Sequence, residues 1–194
     1  MMKICIFCGS NVGKDEAYRA AAERTGTLLA QLGIELVYGG GHVGLMGVVA
    51  DAALAEGGQV TGVIPRALSE REVEHRGLTS LVVVDSMHER KAEMAKRADG
   101  FIALPGGAGT LEEAFEQWTW AQLGIHQKPC GFLNIKGYFD PLRAMIERIV
   151  AEGFIRPEYA DMLIFSEDPA HIISAFESYV PPSGRWAGRA VVRP

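Results

Sequence analysis

Cysteine is scarce in this chain: three residues in 194, Cys5, Cys8 and Cys130. Three is too few, and of the wrong parity, for a disulfide framework. No apolar run reaches the ~18 residues of a membrane span, and no basic stretch followed by a greasy one opens the sequence. The expectation is a cytoplasmic protein with no membrane association. Blocks of Lys and Arg are also missing. With 19 basic against 24 acidic residues the formal net charge is −5, which argues against a nucleic-acid partner. At 48% hydrophobic and 22% charged, the composition excludes intrinsic disorder. The length suits one domain at ~150 residues per domain. Its expected extent is 1–180, followed by a loose tail over 181–194, where Pro181-Pro182-Ser183-Gly184 breaks the periodicity.

Catalytic motifs of several common classes are absent as well. There is no H-E-x-x-H and no G-x-S-x-G, and histidines 42, 75, 88, 126 and 171 show no ligand spacing, so no metal site is expected. Cys5-x-x-Cys8 invites a redox or zinc reading, yet it lies in Lys3-Ile4-Cys5-Ile6-Phe7-Cys8, which reads as a buried strand. Residues three apart on a strand face opposite sides, so the two thiols diverge into the core.

What is present is alternation. Strand-like apolar runs fall at 3–8, 34–38, 60–64, 81–84, 100–104, 130–135 and 162–165. Helical patterns lie between them near 15–32, 44–57, 87–98, 110–123, 139–152 and 169–178. Continuous apolar strands separated by helices predict an α/β fold, a doubly wound parallel sheet of Rossmann-like type sandwiched by helices.

Glycine is in excess, 23 of 194 or about 12% against a typical ~7%, and it clusters where strands end. The clusters are Cys8-Gly9-Ser10, Tyr38-Gly39-Gly40-Gly41-His42-Val43-Gly44 and Leu104-Pro105-Gly106-Gly107-Ala108-Gly109-Thr110. Glycines there let backbone N–H groups approach a ligand, and the next helix N-terminus favours an anion. Three such loops on one sheet edge point to a phosphate-bearing ligand. Gly39-x-Gly41-x-x-Gly44 satisfies the dinucleotide pattern, but no acidic residue follows ~20 positions on to hold a ribose. Gly9-x-x-x-Gly13-Lys14-Asp15 is one residue short of a P-loop, with Asp in place of the magnesium-binding hydroxyl.

Thr110-Leu111-Glu112-Glu113 opens a helix beside the third glycine loop. Thr110-x-x-Glu113 fits a capping box. However, a carboxylate beside an anion nest hinders phosphate binding, which favours a chemical role for Glu113. In Ser86-Met87-His88-Glu89-Arg90-Lys91, Ser86 and Glu89 form a second capping box. That places Arg90 and Lys91 early in a helix, where the macrodipole disfavours cations unless an anion compensates.

Pro105-Gly106-Gly107-Ala108-Gly109-Thr110-Leu111-Glu112-Glu113 matches the P-G-G-x-G-T-x-x-E signature, and by it the chain resembles the LONELY GUY family. These are cytokinin riboside 5′-monophosphate phosphoribohydrolases, long mislabelled as lysine decarboxylases. Cys8-Gly9-Ser10, Gly39-Gly40-Gly41-x-x-Gly44-Leu45-Met46-Gly47, Met87-His88-Glu89-Arg90-Lys91 and Trp120-Ala121-Gln122-Leu123-Gly124-Ile125-His126 extend the resemblance over nearly the whole chain. It implies Arg90 and Glu113 as the catalytic pair. It also implies substrate contacts at Glu72, Lys91, Gly106, Gly107, Ala108, Gly109, Thr110, Leu111, Glu112 and Thr119, with Gly9, Ser10, Gly40, Gly41 and Met87 close by. Ala108 stands where relatives often carry an aromatic residue.

The activity so implied is hydrolysis of the N-glycosidic bond of an adenosine 5′-monophosphate, with or without an N6 substituent, and with no metal or organic cofactor. The resemblance also implies a homodimer with sites near the subunit interface, and Met87, Met94, Phe115, Trp118 and Trp120 are apolar enough to bury there. Two other readings remain. One is a nucleotide or cofactor carrier without catalysis, as in molybdenum-cofactor carriers. The other is a pyridoxal-phosphate decarboxylase, which needs a Schiff-base lysine.

Overall fold

The seven apolar runs form seven strands of one parallel sheet: β1 (Lys3–Phe7), β2 (Glu35–Tyr38), β3 (Val60–Pro65), β4 (Ser80–Val84), β5 (Gly100–Ala103), β6 (Cys130–Leu133) and β7 (Leu163–Ser166). The structure, a computed structural model, describes residues 1–69 and 75–182. Glu72 and most of the 181–194 segment therefore lie outside the described residues.

Among the described residues eight helices flank the strands: α1 (Glu16–Gln31), α2 (Gly44–Ala55), α3 (Arg66–Ser69), α4 (Met87–Arg97), α5 (Ala108–Leu123), α6 (Asp140–Ala151), α7 (Pro157–Ala160) and α8 (Pro169–Glu177). The six long helical patterns all form. The one-turn helices α3 and α7 are too short to show a period in sequence. The run expected as strand through 135 stops at Leu133, because Lys136 and Gly137 take positive φ (54° and 69°) and turn the chain through a short 3₁₀ segment.

Strand alternation assigns the two faces. Ile4, Ile6 and Cys8 pack with α1, α2 and α8. Cys5 and Phe7 pack on the other face with Met94 and Ala95 of α4, Ala114 and Trp118 of α5, and Ile146 of α6. Cys5 and Cys8 thus diverge, and all three thiols are free and buried. Met94 and Trp118, at 1% and 2% exposure, belong to this core and are not available to a subunit interface.

Spatial order is β4-β3-β2-β1-β5-β6-β7. The chain winds outward from β1 through β4, then returns along α4 to lay β5 on the other side of β1. The β1–β5 junction is therefore the topological switch point, where a ligand crevice opens beyond the carboxyl ends of the strands. Register runs from Ile4↔Gly100 to Phe7↔Ala103, so both strands end level. The glycine loops that follow then emerge side by side.

Candidate active site

Backbone bonds hold the two loops together at the switch point. The Gly9 N–H donates to Pro105 O (3.1 Å), and the Leu45 N–H, at the start of α2, donates to Gly9 O (3.0 Å). Between them lies a cleft of about 300 Å³ lined by Cys8, Gly9, Ser10, Met46, Met87, Arg90, Gly107, Ala108, Gly109, Thr110, Glu112 and Glu113.

One wall is the N-terminus of α5. The helix begins at Ala108 with Gly107 as N-cap, and no side chain caps it. Its first intrahelical bond runs from the Leu111 N–H to Gly107 O. The N–H groups of Ala108, Gly109 and Thr110 have no helical acceptor and, with the helix dipole, suit an anion. A Thr110–Glu113 capping box does not form. The helix starts three residues before that reading requires, which moves Glu113 into its second turn.

The other wall is α4. Ser86 caps it by accepting from the Glu89 N–H (3.1 Å), while Glu89 accepts from the Asp85 N–H (3.0 Å), so the second capping box forms with its return bond shifted by one residue. Arg90 projects from the first turn, its Nη1 3.6 Å from Glu113 Oε1, with both side chains almost buried at 11% and 12% exposure. That separation allows strong attraction but no hydrogen bond, so each group keeps capacity for a third partner. Arg90 Nε is buried without a partner. Its guanidinium lies against Gly39 at the end of β2, where a Cβ would come within 2.9 Å of Arg90 Cζ.

Burial pushes the Glu113 carboxyl above its ordinary value, and the Arg90 charge opposes this. Burial likewise keeps Cys8, on the cleft floor, a neutral thiol.

Not every residue singled out in sequence reaches the cleft. Lys91 is buried, and its ammonium bonds Glu112 and, at 3.0 Å, Glu116, so it ties α4 to α5. Among the described residues no lysine lines the cleft. Gly40 and Gly41 are buried and do not line the cleft; Gly40 has φ +75° and accepts from the His75 N–H. Gly106 lines an adjoining hollow of about 240 Å³ with Tyr18, Leu45 and Tyr138. Leu111 is partly buried, packed against the core, and Thr119 is exposed further along α5. Cys8 and Met46, by contrast, line the cleft although sequence reasoning did not choose them. Their signal was adjacency to Gly9 and membership of the Gly44-Leu45-Met46-Gly47 run.

His42, Asp51 and His75 lie within 4.8 Å of one another, a grouping their sequence spacing hides. The Gly77 N–H donates to His75 Nδ1 (3.1 Å), so the ring proton sits on Nε2, which donates to Asp51 Oδ1 (2.8 Å). A ring so bonded has no lone pair left for a metal.

The model of a family described as "Possible lysine decarboxylase" matches residues 46–176. A cytokinin riboside 5′-monophosphate phosphoribohydrolase of Arabidopsis thaliana is 48% identical over 187 residues, 96% of this chain and 88% of the relative. One from Oryza sativa is 49% identical over 92% of this chain and 74% of its own length. The chain belongs to the LONELY GUY family. Solved structures with the LONELY GUY chain's fold include the molybdenum cofactor binding protein of Rippkaea orientalis, with TM-score 0.70, 20% identity and coverage of 91% and 96%. At that identity the likeness shows the fold alone.

Because burial raises the Glu113 pKa, the carboxylate contributes no stability penalty below 4.5 and an increasing one as pH rises through the folded value. Glu113→Gln should therefore match the wild type in unfolding free energy near pH 4 and exceed it progressively toward neutrality. Denaturant unfolding of both proteins across that range checks this.

Proposed function

We propose that the chain hydrolyses the N-glycosidic bond of adenosine 5′-monophosphates, with or without an N6 substituent, to free base and ribose 5-phosphate. The observation that carries this reading is the half-bonded Arg90–Glu113 pair, buried at the mouth of an uncapped helix N-terminus. The curated relatives, named for this activity, support it.

In this reading the 5′-phosphate sits on the N–H groups of the Gly107–Thr110 turn. As the C1′–N bond breaks, its electron pair leaves with the base and positive charge builds on the ribose, an oxocarbenium-like state. Glu113 stabilises that charge and takes a proton from the water whose oxygen bonds C1′; the departing base takes up one proton, by way of solvent, so the free base leaves neutral and Glu113 returns to the carboxylate. Arg90 favours the ionised form of Glu113 and, lining the cleft, offers its guanidinium to a substrate oxygen. A carrier would need the nest but not this pair. Lys91, Glu112 and Glu116 brace the two helices that present it, and Glu72 and Thr119 complete the substrate contacts.

We further infer a homodimer through the α4–α5 surface. Met87, Leu123 and Ile125 are exposed there, and Leu111, Phe115 and Trp120 are only partly buried. Thr119, exposed on the same helix, then serves the neighbouring cleft. The catalytic domain is read as 1–180, and three free buried thiols suit a reducing cytoplasm.

The test is release of free base from AMP and from adenosine, followed by chromatography. AMP should be cleaved with far higher kcat/KM, and Glu113→Gln should lose ~10²–10⁴-fold in turnover. Equal kcat/KM for the two substrates, or wild-type turnover in the variant, refutes the hydrolase site.

Gly39→Ala should fold normally, because the new methyl meets the end of a flexible side chain, yet lower kcat at least ~10-fold by displacing Arg90. In an Arg90→Ala background the same change should cost nothing further, a coupling that a double-mutant cycle measures.

Sedimentation at micromolar concentration should show a dimer. A fully active monomer would remove both the interface and the shared site.

A further inference from the structure

The anion nest works only if its carbonyl oxygens point away from the phosphate, and each of them has an assigned donor. Pro105 O accepts from the Gly9 N–H (3.1 Å), and Gly107 O accepts from the Leu111 N–H (3.2 Å). The oxygen between them, Gly106 O, is held by a side chain from outside the motif: the Tyr138 hydroxyl donates to it at 2.7 Å. No cis peptide is present among the described residues. In a trans peptide the C=O and N–H point in opposite directions. Binding Gly106 O toward Tyr138 therefore turns the Gly107 N–H away from Tyr138 and its hollow.

This bond matters because of the residues it joins. The Gly106–Gly107 peptide is flanked by two residues without Cβ atoms, which makes it the peptide of the loop with the least steric resistance to flipping. Flipped, it would aim a carbonyl oxygen at the anion instead of an N–H. Tyr138 itself is firmly placed. Phe139, the next residue, is buried against Phe132. The Tyr138 ring meets Tyr18 edge-on at 5.6 Å. Lys136, two residues earlier, pairs with Asp15, the N-cap of α1.

We propose that Tyr138 is a positioning residue for the phosphate nest, locking the Gly106–Gly107 peptide so that its N–H serves the anion. This rests on the reading of the nest given above. Tyr138→Phe keeps the ring and its packing and removes only the hydroxyl. KM for AMP and Kd for ribose 5-phosphate, measured by kinetics and calorimetry, should both rise about 3–10-fold, the range for one lost hydrogen bond. Turnover, kcat, should fall no more than about twofold, and adenosine, which brings no phosphate, should show no KM increase. A wild-type enzyme that needs the phosphate, beside a variant with unchanged KM and Kd, overturns the role of Tyr138 alone. An equal loss on adenosine, or one confined to kcat, overturns it too. A wild-type protein indifferent to the phosphate overturns the nest itself, and Tyr138's part with it.

Discussion

Pairing of β1 with β5 is the constraint on which the site depends. These strands are separated by most of the first half of the chain, yet their register ends them level and a single backbone bond, Gly9 N–H to Pro105 O, joins the loops beyond. Shift that register by one residue and the inward faces of β1 exchange. The Gly9–Ser10 wall would also leave the α5 N-terminus. Every group discussed here, from the uncapped helix end to Arg90, takes its place relative to that junction.

A second tension is electrostatic. Arg90 and Glu113 are held nearly out of water at a distance too long for a hydrogen bond, an arrangement that stability alone does not favour. Lys91 with Glu112 and Glu116 stands beside it as the contrasting case, a closely bonded cluster that joins the same two helices. The bonded cluster sets the separation of α4 and α5. The loose pair can then stay under-satisfied within a fixed frame, which is the condition of a preorganised site.

The sheet was readable in sequence because the central strands β1, β3, β5 and β6 are buried along almost their whole length and long helical periods separate one strand from the next. One-turn elements such as α3 carry no period, and the Lys136–Gly137 turn depends on two positive φ angles that an apolar run does not announce. The cleft residues near glycines were legible, since glycine loops at strand ends mark the crevice. Lys91 was not legible in the same way. Its neighbour Arg90 faces the cleft, and the next position on a helix turns by 100°, toward Glu112 and Glu116 of α5. Tyr138 was invisible because its contact with Gly106 spans 32 residues and links a side chain to a main-chain oxygen. The Thr110–Glu113 pattern misled for a local reason: a helix can begin earlier than its capping motif when glycine supplies the N-cap.

Strand β4 bears on how the protein behaves outside its own fold. Among the described residues it forms one edge of the sheet and pairs with β3 alone, and its sequence, Ser80-Leu81-Val82-Val83-Val84, is uncharged and rich in valine, with Val83 40% exposed. Such an edge is a template for strand addition by another chain. Charge is confined to its end, where Asp85 follows the strand and pairs with Arg66 at 3.7 Å. At high concentration or in a partly unfolded chain, β4 would therefore offer a second copy a site for strand addition, three strands away from β1 and its junction with β5.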